Sequence, residues 1–88
     1  MLRITMTTRP EGVTVALEGR LAGPWVRELA DCWRDVRDAG SIRIELDGVT
    51  FIDAAGKALL RTLHEEGAAL AASGCMTGAI LDEIRRPH

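Results

Sequence analysis

A strand-like pattern turns into a helix-like pattern within a few residues in the segment 49-VTFIDAAGKALL-60. Its first residues are apolar and favour a strand, whereas its last residues favour a helix. Only Asp53 and a run of very small residues separate the two. The segment therefore predicts a strand joined directly to a helix, a junction typical of α/β folds.

Alternating apolar and polar residues predict three strands, at 2–6, 13–17 and 42–46. The turn Arg9-Pro10-Glu11-Gly12 separates the first two and predicts an antiparallel hairpin, since proline presets its φ and glycine accepts a positive one. The residues from Glu18 to Ala22 are expected to form an exit loop. Asp47-Gly48 is expected to turn the chain into the junction segment.

Apolar residues at three- and four-residue spacing predict two helices. The first opens at Gly23-Pro24, because proline is tolerated in a first helical turn. Trp25 and Trp33 lie on its apolar stripe and are interpreted as core residues, with an aromatic platform for a ligand as the alternative. The second helix is expected to start at Ala55 and to end at Gly67.

The run from Ala68 to Ala72 is ambiguous, because alanine favours a helix while the flanking glycines favour a short buried strand. We interpret it as a strand, followed by a third helix that starts at Ser73-Gly74 and includes Met76, Ala79, Ile80 and Ile84. The order is then ββαβαβα. It predicts one small α/β domain over residues 1–88, with a mostly parallel four-stranded sheet, one antiparallel edge strand and three helices.

Charge and composition exclude several classes of function. The 11 basic and 13 acidic residues are interleaved and leave a net charge of -2, so neither nucleic acid nor an anionic membrane is an expected partner. No apolar run approaches the roughly 20 residues that span a bilayer, and we expect a cytoplasmic protein without direct membrane insertion. Cys32 and Cys75 show no metal-type spacing and are interpreted as packing thiols. No metal or cofactor is predicted.

Asp53 has a simple structural interpretation as the N-cap of the second helix, where its carboxylate accepts an N–H from Ala55 or Gly56. That interpretation does not explain why the following residues are so small. Ala54, Ala55 and Gly56 leave the helix start bare, so that another backbone or a partner side chain can approach closely.

The run 46-LDGVTFIDAAGKALL-60 resembles the signature of STAS domains, the family of sulfate-transporter and anti-sigma-factor-antagonist modules, in which Asp-Ser-Ser-Gly follows the third strand. The segment 13-VTVALEGRLAG-23 resembles the second strand of the family and its exit. The segment 67-GAALAASGCMTGAILDEI-84 resembles the fourth strand and third helix. The resemblance covers essentially the whole chain and implies the STAS fold.

The resemblance assigns each position of the motif. Asp53 matches the acid, Ala54 the first serine, Ala55 the serine that is phosphorylated in bacterial anti-sigma antagonists, and Gly56 the glycine. This chain therefore departs from the family at the residue that carries the switch, since alanine cannot accept phosphate. Lys57 is a second departure, because the family usually has an apolar residue there.

The resemblance implies a protein-binding module instead of an enzyme. The expected partner is an anti-sigma factor or a related kinase-like regulatory protein. The alternative is a role as cytoplasmic subunit of a lipid-transport ABC system or another transporter assembly, with a transporter ATPase as partner. The expected contact residues are Asp53, Ala54, Ala55, Gly56 and Lys57, joined by Gly19 and Leu21 of the neighbouring loop.

Three further possibilities stay open at the level of sequence. The bare helix start could bind an anion, although no nucleophile and base have catalytic spacing. The short fourth strand could pair with another chain and form a homodimer. Thr50, Ser41 or Ser73 could be modified in place of the missing serines.

Overall fold

The computed structural model describes residues 1–72 and Ile84. In chain order the elements are β1 (Leu2–Arg9), β2 (Gly12–Leu21), α1 (Pro24–Val36), β3 (Ser41–Ile52), α2 (Ala54–Glu65) and β4 (Ala69–Ala71). The predicted third helix lies outside the described residues except for Ile84, which is buried in the core.

The described strands form one sheet in the order β1-β2-β3-β4. β1 runs antiparallel to β2, whereas β2, β3 and β4 are parallel to one another. The predicted four-stranded α/β sheet with one antiparallel edge strand is confirmed. The alanine-rich run is also confirmed as a strand, because Leu70 of β4 pairs with Ile44 of β3 and is buried.

The hairpin between β1 and β2 forms as predicted. Arg9 pairs with Gly12, so Pro10 and Glu11 alone make the turn. Gly12 is required there, since its φ is 151° and a Cβ would collide with the backbone carbonyl of Ser41.

The exit loop predicted for residues 18–22 was largely wrong, because β2 continues to Leu21. The first two of these residues, Glu18 and Gly19, pair with strands on both sides. Gly19 lies opposite both β1 and β3, and the N–H of Arg20 donates to the carbonyl of Met1 at 2.9 Å. The neighbouring strands thus supply partners for the main chain, and a local sequence pattern does not reveal them.

The turn predicted at Asp47-Gly48 was also wrong, because β3 passes through both residues without reversing. Instead, the register between β2 and β3 shifts at two points, the first of them beside Gly48. A Cβ on Gly48 would lie 2.6 Å from Cγ of Glu18 and 3.0 Å from the carbonyl oxygen of Leu17. This glycine therefore permits a close approach of two strands at a bulge.

The core lies between one face of the sheet and the two described helices. The alternating residues predicted for β2 and β3 are buried on this face, and each helix adds its apolar stripe: Val13, Val15, Leu17, Ile42, Ile44, Leu46, Leu29, Trp33, Val36, Leu60 and Leu63. The indole N–H of Trp33 donates to the carboxylate of Glu66 at 3.1 Å. Trp33 is therefore a core residue with a satisfied polar atom, as one of the two interpretations predicted.

Candidate functional site

The candidate site lies where β2 and β3 end side by side. Because these strands are parallel, both chains leave the sheet at the same edge, where Leu21 pairs with Ile52. α1 begins three residues after the first of these and α2 begins two residues after the second. We call the segments 21–24 and 52–57 together the carboxyl edge.

Asp53 connects the two segments through its side chain. Its Oδ1 accepts the N–H of Gly56 at 2.7 Å, which confirms the predicted N-cap of α2. Its Oδ2 accepts the N–H of Gly23 at 2.9 Å, across 30 residues of chain. Gly23 precedes α1, whose own N-terminus has no side-chain cap. One carboxylate therefore serves the starts of both helices.

Main-chain hydrogen bonds also hold the turn around Asp53 in place. The N–H of Asp53 donates to the carbonyl of Leu21 at 3.2 Å, and the carbonyl of Asp53 accepts the N–H of Lys57 at 2.9 Å. The backbone and both carboxylate oxygens of Asp53 are thus engaged. A side chain fixed by several partners is a rigid reference point for the surface around it.

These bonds also set the charge of the site. The N–H of Gly23, then that of Gly56, stabilises the carboxylate and lowers the pKa of Asp53 below its ordinary value. Asp53 is therefore ionised at neutral pH, with its charge directed at backbone N–H groups.

Gly56 has a packing role within the fold. It is buried in the first turn of α2, and a Cβ there would lie 2.6 Å from the carbonyl oxygen of Leu21 and 3.0 Å from Cγ2 of Ile52. The close approach that was expected of the small residues is, at Gly56, an approach to the end of β2. Gly56 therefore allows the first turn of α2 to pack closely against the ends of β2 and β3.

Ala54 and Ala55 differ from Gly56 because they are exposed to solvent. Nothing in the interior requires them to be small. The first turn of α2 thus presents two methyl groups, followed by Lys57, which is partly buried. This turn offers no hydroxyl at positions 54 and 55.

The two predicted contact residues of β2 lie in the sheet, below the exposed first turn of α2. Leu21 is fully buried and contributes its carbonyl oxygen to the turn of Asp53. Gly19 has a φ of 102°, and a Cβ there would meet the carbonyl oxygen of Met1. Both residues support the carboxyl edge from the sheet.

Sequence reasoning missed Phe51 and Arg20, which flank this edge on the face of the sheet opposite α1 and α2. Phe51 is 47% exposed, and the guanidinium carbon of Arg20 lies 4.9 Å from the centroid of its ring. Thr50 donates its hydroxyl proton to the carbonyl of Gly19 at 3.2 Å. The register of β3 against β2 shifts between Val49 and Phe51, and Phe51 consequently faces away from the core.

Among residues 1–72 and Ile84, no group of three His, Cys, Asp or Glu side chains could hold a metal ion. Within those residues, no helix has the length and apolar character needed to cross a membrane.

No known family profile and no curated protein matches the sequence. Solved structures do match. The unphosphorylated form of the anti-sigma factor antagonist SpoIIAA aligns over 99% of this chain and 100% of its own, with 18% identity and a TM-score of 0.61. A crystal structure of Mglu aligns over 80% of this chain, with 19% identity and a TM-score of 0.64, although the match spans only 19% of Mglu.

The end-to-end match to SpoIIAA includes every described element, whereas the match to Mglu concerns a small part of a larger chain. At these identities the likeness establishes the fold. The predicted resemblance is confirmed at that level: this chain has a STAS-like fold, that of the anti-sigma factor antagonist SpoIIAA.

Proposed function

We propose that this protein acts by binding a regulatory protein, as an antagonist of an anti-sigma factor that is not switched by phosphorylation at its helix start. The observation that carries the proposal is the exposed pair Ala54-Ala55 on a turn held by both oxygens of Asp53. The likeness to SpoIIAA supports a regulatory module.

The proposed contact surface is the carboxyl edge. Ala54, Ala55 and Lys57 form its outer part, and Asp53 fixes their position. Gly56, Gly19 and Leu21 support the surface from within. A rigid, nearly bare helix start suits protein recognition, because a partner reaches the main chain without displacing side chains and little entropy is lost on binding.

The absence of a hydroxyl at position 55 has a regulatory consequence. A phosphoryl group would add nearly two negative charges to the middle of this surface and repel or displace a partner. With alanine there, binding is constitutive with respect to that modification.

The test is a quantitative pull-down from the native cell lysate with and without ATP, using matched variants. Ala55→Glu places charge and bulk on the surface, and an acid in the first helical turn does not oppose the helix dipole. Ala39→Glu makes the same change at an exposed residue before β3, at the opposite edge of the sheet. Ala55→Ser restores a hydroxyl at the family position.

We expect an anti-sigma factor to bind the wild type and Ala39→Glu equally, and Ala55→Glu at least tenfold more weakly. ATP should reduce capture by Ala55→Ser alone. Equal capture of the partner by Ala39→Glu and Ala55→Glu would contradict the proposal that the partner binds at the carboxyl edge. Recovery of a transporter ATPase in place of an anti-sigma factor would support the subunit role, for which neither Ala54 nor Ala55 needs a hydroxyl.

A further inference from the structure

The outer edge of β1 has the properties of a strand that pairs with another strand. β1 is eight residues long, its register with β2 is continuous, and it contains neither proline nor lysine, its charged residues being Arg3 and Arg9 near its two ends. Natural sheets usually blunt an exposed edge with such residues, with a bulge or with a short strand. By contrast, β4, where the sequence suggested a homodimer, has only three residues.

The hydrogen bonds of the hairpin show which main-chain groups of β1 point outward. The N–H of Arg20 donates to the carbonyl of Met1, so Met1 and Arg20 form a hydrogen-bonded pair. Hydrogen-bonded and non-hydrogen-bonded pairs alternate along an antiparallel ladder. The main-chain groups of the even-numbered residues therefore face away from β2: Leu2, Ile4, Met6 and Thr8.

The side chains of β1 that lie on the helix side of the sheet are apolar from Leu2 to Met6. Met6 lies in β1 and is 49% exposed, and Met1, which directly precedes β1, is 85% exposed. Ile4 is only partly buried. Met6 also touches α1, because the thiol of Cys32 lies 3.4 Å from its sulfur.

We propose that β1 pairs antiparallel with β1 of a second copy of this chain, across a two-fold axis at Thr5, to form one continuous sheet. In this register Leu2 lies opposite Thr8 of the second copy and Ile4 lies opposite its Met6. Every outward main-chain group of the strand then has a partner. Ile4 and Met6 cover each other on the helix side of the sheet.

The alternative registers are less favourable. A centre at Met6 would place Arg3 opposite Arg9 of the second copy, and like charges directly opposite destabilise a strand pair. A centre at Ile4 would leave Thr8 without a partner. With Thr5 at the axis, Arg3 lies opposite a threonine, and Thr5 lies opposite its own copy in a pair that favours strand association.

The helices leave room for this arrangement. α1 packs mainly on β2 and α2, and its Cys32 also reaches Met6 of β1. With α1 centred over β2, the two copies of α1 would lie about 14 Å apart, three strand spacings of ~4.8 Å. Packed helices lie roughly 8–10 Å apart, so the helices do not collide and the exposed side chains of Ile4 and Met6 occupy the space between them.

Cysteine cross-linking tests the register. In a background with Cys32→Ala and Cys75→Ala, Thr5→Cys places two thiols opposite each other in a non-hydrogen-bonded pair, where Cα atoms lie about 4.5 Å apart. Thr7→Cys is the matched control, because its two copies would lie about 14 Å apart along the strands, beyond the ~7 Å limit of a disulfide. Oxidised glutathione should link Thr5→Cys at least tenfold faster than Thr7→Cys.

Sedimentation equilibrium tests the association itself. At ~200 μM, where even contacts with a micromolar Kd are occupied, we expect a dimer for the wild type and Ala58→Lys and a monomer for Met6→Lys. Ala58 is exposed on α2 and serves as the control for added charge. A monomeric wild type, or equal cross-linking by Thr5→Cys and Thr7→Cys, would overturn the proposal.

Discussion

The two described helices start at the same edge of the sheet but in different ways. α2 starts conventionally, with Asp53 as an N-cap whose Oδ1 accepts the N–H of Gly56. α1 starts after Gly23, which has φ 59° and ψ -134° and no side chain to act as a cap. The carboxylate of Asp53 reaches the N–H of Gly23 instead.

This difference shows that one helix start depends on the other. A local cap stabilises only its own helix, whereas Asp53 joins two chain segments that are 30 residues apart. The carboxyl edge is therefore one unit, and a substitution that displaces the start of α2 should also displace the start of α1. Substitutions at Gly56, Gly23 and Asp53 separate the contributions to this unit.

The largest loss of stability is expected for Gly56→Ala. The added Cβ would lie 2.6 Å from the carbonyl oxygen of Leu21, and backbone cannot move aside as a flexible side chain can. α2 must shift away from the end of β2, at a cost of about 1–3 kcal/mol in the free energy of unfolding. Urea unfolding measures it. Stability equal to the wild type would mean that the two segments are not in close contact.

Gly23→Ala should have a smaller effect with a different cause. No atom lies within 4 Å of the position that a Cβ would occupy, so there is no collision. The backbone angles alone are unfavourable for alanine, which costs about 1–2 kcal/mol. Urea unfolding should show this loss, with the chemical shifts of α2 largely unchanged. Large shifts at Gly56 would contradict the separation of causes.

Substitutions of Asp53 divide its two roles. Asp53→Ala removes both acceptors and should lower the Tm by about 5 °C, the size expected for a lost N-cap in a domain of this length. Asp53→Ser retains one oxygen that can cap α2 but leaves Gly23 without its acceptor. Its Tm should lie between those of the wild type and Asp53→Ala. A Tm for Asp53→Ser equal to that of the wild type would show that the bond to Gly23 contributes nothing.

The smallest effect is expected at low pH. The pKa of Asp53 is lowered in the folded state, so the folded protein holds this proton less tightly than the unfolded chain. The stabilisation is fully present above the unfolded pKa of about 3.9 and is lost as the pH falls through the folded pKa. Urea midpoints from pH 6 to pH 2 should therefore fall less steeply for Asp53→Ser than for the wild type. Parallel curves would contradict this assignment.

Features set by neighbouring residues in the chain could be predicted from the sequence. The turn at Pro10-Glu11, the cap at Asp53 and the alternation that buries Val13 and Ile44 all depend on local propensity or periodicity. The order of these elements was enough to predict the sheet and its one antiparallel pair. The run around Asp53 led to the STAS resemblance, and the order of elements agrees with it.

Features set by pairing between distant segments could not be predicted in this way. Asp47-Gly48 is a typical turn signal, yet β2 lies alongside and holds the chain extended. The same pairing turns Phe51 outward. The bond from Gly23 to Asp53 exists only because two parallel strands end together, and neither residue identifies the other in the sequence.

The most direct test of the shared cap is a pH titration of the backbone amides by ¹H–¹⁵N NMR. Gly23 and Gly56 each donate to one oxygen of Asp53. Their amide protons should therefore shift together as the carboxylate is protonated, with a common midpoint below the ordinary pKa of aspartate, and neither shift should occur in Asp53→Ser. A titration seen at Gly56 but absent at Gly23 would contradict the account, since Asp53 would then cap α2 alone.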